Sequence, residues 1–317
     1  MAFGKEVRIM TTLNHRARPA KSRLRQEGVG YSIFTVVNTL LLILICIITV
    51  YPMYYVVIAS ISEADILGRN FGLLLFPVGR INTYSYQLVF RNRLVLSGFA
   101  NTFLILIGGL CFNMVLTCLG AYFLALKGAI LSRPIAMLIL FTMYFSGGIV
   151  PEYLNIQSLG LMDTLWALIV PVSINTYNLL IMRSAFSSVP DSLVEAAQLD
   201  GASHVRILLR VFLPLSGATL AVMVLYYAVG HWNAWFRASL FIHNTKKYPL
   251  QLVLRQILLL NQNSELAAST TDAGELAKYA DSIKYALIVI SCVPILVLYP
   301  FLQRFFAKGV MVGALKG

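Results

Sequence analysis

The sequence predicts an all-α integral membrane protein with six transmembrane helices and both termini in the cytoplasm. Three observations carry that prediction. The 317 residues are 58% hydrophobic and only 12% charged, with a mean hydropathy of +0.77, where a soluble domain carries about a quarter charged residues. The apolar residues come in runs, at 31–60, 97–126, 134–150, 164–182, 211–236 and 285–303, and a span needs about 20 of them. Lipid offers an unpaired amide no partner, so each span must be helical. The third observation is charge asymmetry. With the N-terminus inside, the inner segments hold 15 basic residues against five acidic, and the outer segments 10 against eight, the bias that orients spans. The net charge of +12 is therefore a topology signal, not a nucleic-acid surface.

Taken in order, residues 1–30 read as a cytoplasmic basic tail carrying Lys5, Arg8, Arg16, Arg18, Lys21, Arg23 and Arg25. The transmembrane domain occupies 31–304. Its first run is too long for a signal-peptide core and lacks a small-residue cleavage site, so it is expected to be retained. Residues 61–96 form an outer loop with a turn at Pro77-Val78-Gly79. The third run is short and is expected to continue past Gly147-Gly148. An inner loop lies within 183–210, and a long outer loop covers 237–284. In that loop Pro249 to Leu260 reads as a short helix with an apolar face, followed by a polar stretch to Asp281. The tail, 305–317, is cytoplasmic. Cys46, Cys111, Cys118 and Cys292 all fall inside apolar runs, with neither zinc nor disulfide spacing, and read as small packed hydrophobes.

The runs contain no Asp, Glu, Lys or Arg, and their one histidine is His231. Ion-coupled carriers keep ionisable groups at membrane depth as their relay, so a secondary carrier is disfavoured and energy must come from elsewhere. No Gly-rich phosphate loop followed by Lys-Ser/Thr is present either. The chain does not hydrolyse ATP, and no metal or catalytic constellation accompanies the spans.

The least bland segment is the inner loop, 187–210. Pro190, Asp191 and Ser192 suit the first turn of a helix through fixed φ, capping and the helix dipole. Leu193, Ala196 and Ala197 fall on one face at i, i+3, i+4. Gly201 breaks the rod, and a second short helix from Ser203 to Arg210 leads to Leu213-Pro214. The local physics gives an elbow on the cytoplasmic surface, which could be an ordinary interfacial helix or a ball for another protein's socket.

Glu195-Ala196-Ala197, three residues, Gly201, nine residues, Val211, one residue, Leu213-Pro214 resembles the EAA motif of ABC-importer permeases, with Val211 where the family usually has isoleucine. The tail from Tyr299-Pro300-Phe301 to Gly317 is similar to the carbohydrate branch, the maltose-type (MalG-like) and LplC-like permeases. The resemblance implies a type I importer (MetI-like) fold and a multi-pass protein of the bacterial cytoplasmic membrane. It implies that Glu195, Ala196, Ala197, Asp200, Gly201, Leu213 and Pro214 form the coupling loop seated in a cleft of an ATPase subunit. It also implies that Lys308, Lys316 and Gly317 belong to an ATPase-docking tail, whose alternative is a basic tail at anionic lipid. The implied partners are a second homologous permease, two ABC ATPase subunits holding ATP and Mg, and an extracytoplasmic solute-binding protein. This chain itself binds no cofactor or metal.

A sugar path wants aromatic faces and neutral hydrogen-bonding groups. Asn175 and Asn178 in the fourth run, and Tyr227, His231, Trp232 and Trp235 in the fifth, are the candidates. Tyr227, His231 and Trp235 repeat at i, i+4, i+8. The competing reading is an interfacial aromatic belt. The helix at Pro249–Leu260 could touch the binding protein or pack on its own spans. Within the same class of importer, an amino acid, a peptide or a metal is the alternative cargo.

Overall fold

The structure is a computed structural model that describes residues 29–67, 72–264, 282–298 and Pro300. The basic N-terminal tail, Ser269–Thr271 and the tail residues Lys308, Lys316 and Gly317 lie outside the described residues. Those described are mostly helical, with no strand among them.

The chain divides into two compact units between Tyr54 and Tyr55. The first is the described part of α1 (Val29–Ser60) up to Tyr54, a helix of mean span hydropathy 2.8 with none of that span buried. Its hydroxyls turn back onto the helix. Thr35 donates to Tyr31 O at 2.9 Å, Thr39 to Thr35 O at 2.7 Å and Thr49 to Ile45 O at 2.9 Å, so these three hydroxyls are satisfied within the helix.

The second unit begins in the last turns of α1, followed by α2 (Ala64–Leu67) and α3 (Tyr84–Arg91). α4 (Arg93–Ala125) starts four residues ahead of its apolar run because Asn92 caps it, accepting from Leu94 N at 2.9 Å. α4 is the axis of the unit: α3, α5, α7, α11 and α13 all pack on it. Its buried stripe includes Gly98, Thr102, Gly109, Asn113, Thr117 and Ala121, small or hydrogen-bonding residues. In lipid, helices associate through such close contact and polar pairing, since apolar side chains gain little by leaving the tails.

The remaining runs are bent. α5 (Ser132–Tyr144) and α6 (Ile149–Ser158) meet at 117°, so the third run does go on past Gly147-Gly148, but around a sharp bend; Gly148 takes φ +87°, a conformation only glycine adopts freely. The fourth run opens with two 3₁₀ turns, Leu165–Leu168 and Val170–Val172, and bends 49° into α7 (Thr176–Ser187). The fifth is cut twice. Its first residues belong to the elbow, α8 (Asp191–Leu199), α9 (His204–Ile207), a π turn at Leu208–Phe212 and α10 (Leu213–Leu215), which meets α11 (Gly217–Trp232) at 87°. Pro214 and the Ser216-Gly217 step explain that corner, as proline and Gly/Ser pairs interrupt the helical ladder. At the other end Asn233 stops α11 and a separate α12 (Trp235–Phe241) follows. The six runs thus appear as two helices long enough to cross a bilayer, three bent pairs, and a shorter final helix, rather than six straight spans.

In the outer loop α13 (Leu250–Ser264) packs on its own helices. Leu250 and Val253 are buried with Ala286 and Leu287 of α14 (Ser282–Leu298). Leu250 N donates to Thr102 Oγ1 at 2.8 Å, and Asn101 Nδ2 donates to Lys246 O and Tyr248 O at 2.7 and 3.1 Å. A second strap centres on Asp163, whose Oδ1 accepts from His243 N at 3.1 Å and Asn244 N at 2.9 Å, while Lys247 Nζ lies 3.3 Å from Oδ2.

Candidate functional site

Two features stand out, an elbow and a cavity. The elbow begins one residue later than expected: Pro190 flanks the helix and Asp191 is its first residue. Lys127, just past α4, pairs with Asp191. α8 turns Val194 and Ala197 onto a buried cluster with Phe186, Ile207, Phe212 and Met223. Leu193, Glu195, Ala196 and Asp200 are exposed. Of the motif's two alanines, Ala196 therefore faces outward and Ala197 rests on the chain's own core, which corrects the shared face read from spacing.

The turn after α8 is a Schellman motif. Ala202 N donates to Ala197 O at 2.9 Å and Gly201 N to Gln198 O at 3.0 Å, with Gly201 at φ +74°. This reversal leaves Leu199 90% exposed and Val205 63% exposed, unusual for apolar side chains in an element that also carries Glu195, Asp200 and Arg206. Ser203 then caps α9, accepting from Arg206 N at 3.4 Å. The π turn widens the helix ahead of Pro214, which is exposed, while Leu213 is half-buried against the cluster. Two contacts tie this arm to α4: Tyr122 OH lies 3.0 Å from His204 Nδ1 and its ring meets Phe212 edge-on at 5.1 Å. The elbow is held firmly from behind and open in front.

The cavity, of about 550 Å³, lies toward the opposite end of α11. Asn175, Asn178, Tyr227 and His231 all line it, joined by Tyr226 and Arg237. Asn175 also caps α7, its Oδ1 accepting from Asn178 N at 3.1 Å, and its own N–H donates to Tyr227 OH at 3.1 Å. Tyr227 OH shares a 2.7 Å hydrogen bond with Thr117 Oγ1. His231 is fixed by Asn113. The Asn113 amide donates to Val172 O and Ser173 O at 2.6 and 3.0 Å, so its Oδ1 must be the atom facing His231 Nε2 at 2.8 Å. His231 therefore carries its proton on Nε2 and leaves Nδ1 as an acceptor. Gly109 makes this possible: a Cβ there would stand 2.4 Å from Nε2.

Trp232 and Trp235 are not part of this wall. Trp232 is 3% exposed, edge-on to Phe103, with Nε1 donating to Ser291 O at 3.2 Å. Trp235 lies beyond the break at Asn233 with the Arg255 guanidinium 3.8 Å over its ring. The i, i+4, i+8 stripe ends at His231 for that reason. Sequence reasoning missed Asn113, Thr117 and Arg237. The first two were detectable as polar residues four apart on an apolar helix behind Gly109; Arg237 abuts the fifth run and was counted with the outer loop.

Residues 29–312 match the family model described as binding-protein-dependent transport system inner membrane component. Protein LplC of Bacillus subtilis (strain 168) is 39% identical over 287 residues, covering 90% of this chain and 95% of that protein. The polygalacturonan/rhamnogalacturonan transport system permease protein YtcP of the same organism is 34% identical, with 87% and 96% covered. Among solved structures, a chain from the crystal structure of a bacterial ABC transporter involved in the import of the acidic polysaccharide alginate aligns with a TM-score of 0.80. Identity there is 29%, with 88% of this chain and 99% of that chain covered.

Proposed function

The chain belongs to the family of binding-protein-dependent transport system inner membrane components, and from that premise we propose how it works as the permease subunit of an ABC importer. It is a multi-pass membrane protein and not an enzyme; ATP hydrolysis lies in partner subunits. With a second, homologous permease it forms the path by which a sugar or oligosaccharide, delivered by a solute-binding protein, enters a bacterial cell through the cytoplasmic membrane. Both termini face the cytoplasm, and the six runs act as six crossings.

The observation that carries the mechanism is the elbow, presenting Glu195, Ala196, Asp200, Leu199 and Val205 outward while Val194 and Ala197 join it to the core. A half-apolar, half-acidic knob of this kind fits a cleft with an apolar floor and a basic rim. Each of two ATPase subunits, with ATP and Mg, grips one such knob, and Glu195 pairs with a basic group there. When the ATPases close, the knobs converge. The Tyr122–His204 contact and the cluster around Phe212 carry the motion into α4 and α7, a rigid-body shift between two packings. Lys308, Lys316 and Gly317 dock on the same ATPases.

The cargo reading rests on the cavity, where Asn175, Asn178, Tyr226 and Tyr227 offer neutral hydrogen bonds and ring faces to hydroxyl-bearing rings. It is favoured further by relatives named for polysaccharide transport. Titrating oligosaccharides, amino acids and metal ions against the binding protein that co-purifies with the intact complex tests it. Saturable oligosaccharide binding and ATP-dependent uptake of the same compound in proteoliposomes are expected. Exclusive binding of an amino acid, peptide or metal would replace this cargo.

A further inference from the structure

Arg237 is the one charged side chain in the wall of the 550 Å³ cavity. It also borders a second cavity, of about 1150 Å³, formed by the α5–α6 turn and containing Glu152 and Asn155 in its wall. Arg237 and Pro171 are common to both, so the guanidinium stands where the two spaces adjoin. A cation beside a membrane span needs a counter-charge, and Glu152 of α6 supplies one: its Oε1 lies 3.1 Å from Arg237 Nε, both side chains about one-third exposed at 32% and 39%. The pairing is incomplete. Oε1 is buried without a hydrogen-bond donor, so the Nε–H is not aligned with it, and buried polar atoms in native structures are ordinarily satisfied. No other carboxylate pairs with Arg237 among the described residues.

We propose that Arg237 is a specificity-determining residue that receives a carboxylate of the cargo, exchanging Glu152 for it as an acidic saccharide passes between the two cavities. The inference rests on the saccharide reading above. A guanidinium presents a planar fork that matches a carboxylate with two parallel hydrogen bonds, and the Glu152 Oε1 that approaches Nε makes no hydrogen bond there. Around it, Asn175, Tyr226, Tyr227 and the Nδ1 acceptor of His231 suit ring hydroxyls. One guanidinium balances the single charge of a uronate; a phosphate dianion would leave a charge uncompensated with no second cation in that wall. Glu152 returns as the counter-ion once the carboxylate has left, so Arg237 is never bare.

The test uses the purified complex of both permeases and both ATPases in nanodiscs, trapped with a non-hydrolysable ATP analogue so that no binding protein filters the sugar. Equilibrium binding of a trisaccharide carrying one galacturonate unit is compared with that of the same trisaccharide after carboxyl reduction. In the unmodified complex the acid should bind more tightly, and Arg237→Gln should erase that preference by weakening the acid about tenfold, the scale of losing one charged hydrogen-bond partner. Affinity for the neutral sugar should stay unchanged. Arg237→Lys should recover part of the preference, keeping the charge without the fork. If Arg237→Gln weakens both sugars equally, or neither, Arg237 is only the structural partner of Glu152 and the proposal fails while the saccharide reading stands. If a sugar phosphate displaces the monouronate trisaccharide at lower concentration, the carboxylate assignment is wrong. If no saccharide binds but an amino acid or peptide does, the saccharide reading falls, and the proposal with it.

Discussion

At the scale of single residues, Gly201 and Asn113 do work that their neighbours cannot. Gly201 occupies the left-handed region at φ +74°, with open space where a Cβ would go, so the objection to a side chain is conformational and not steric. Gly201→Ala should cost about 1–2 kcal/mol in the elbow, read as faster hydrogen exchange across α8 and a lower coupling ratio of transport to ATP hydrolysis. Asn113 satisfies two carbonyls and His231 together. Asn113→Ala removes the partner of the buried His231 and of two part-buried carbonyls, and a loss of about 1–3 kcal/mol is expected, the scale of one unsatisfied buried group, measured as a lower Tm of the detergent-solubilised protein. Gly201 was legible in the sequence because its spacing from Glu195 and Pro214 is a pattern. Asn113 was not, since its importance comes from Val172, Ser173 and His231, remote in sequence and brought together by a bend.

At the scale of elements, the sequence located every apolar run and missed the corners. Hydropathy counts residues and is blind to direction, so 134–150 and 211–236 each looked like one rod. The punctuation was present in Gly147-Gly148, Pro214 and Ser216-Gly217, but such residues are tolerated within spans wherever neighbours re-satisfy the freed groups, and only the packing decides. The Asp163 strap is an element-scale device with a pH signature. The N–H of Asn244 holds its carboxyl below the ordinary value of 3.8, with His243 and Lys247 acting in the same sense against desolvation. A carboxyl depressed in the folded state contributes stability that is complete above the ordinary value and is lost as pH falls through the lowered one. Amide protection at His243 and Asn244, corrected for intrinsic exchange, should hold from neutral pH down to about pH 4 and disappear below it. Asp163→Asn should lower that protection already at neutral pH.

At the scale of the whole molecule, the absence of acidic or basic residues within the six runs and the form of the elbow lead to one account. On the proposed function, the membrane part would be a passive pair of packings, with the energy arriving through a knob gripped from the cytoplasm. The structure refines the sequence reading here by separating neighbouring residues within the motif. Glu195 and Ala196 are exposed, while Ala197 and Leu213 lie against the core, so one motif contains both the handle and its weld. Mutations at the handle should uncouple without unfolding, whereas Ala197→Glu, which forces a charge onto the cluster around Phe212, should lower the yield of folded protein.

The most direct measurement is ATP-driven uptake by the reconstituted four-subunit complex carrying Glu195→Lys, with Tm and subunit stoichiometry as controls for folding and assembly. Charge reversal on an exposed handle is expected to leave Tm within about 0.5 kcal/mol equivalent of the unmodified complex. It should abolish uptake, with the ATPase bound weakly or hydrolysing ATP without transport. Uptake that survived Glu195→Lys undiminished, or that this chain carried out alone without ATP, would contradict the account.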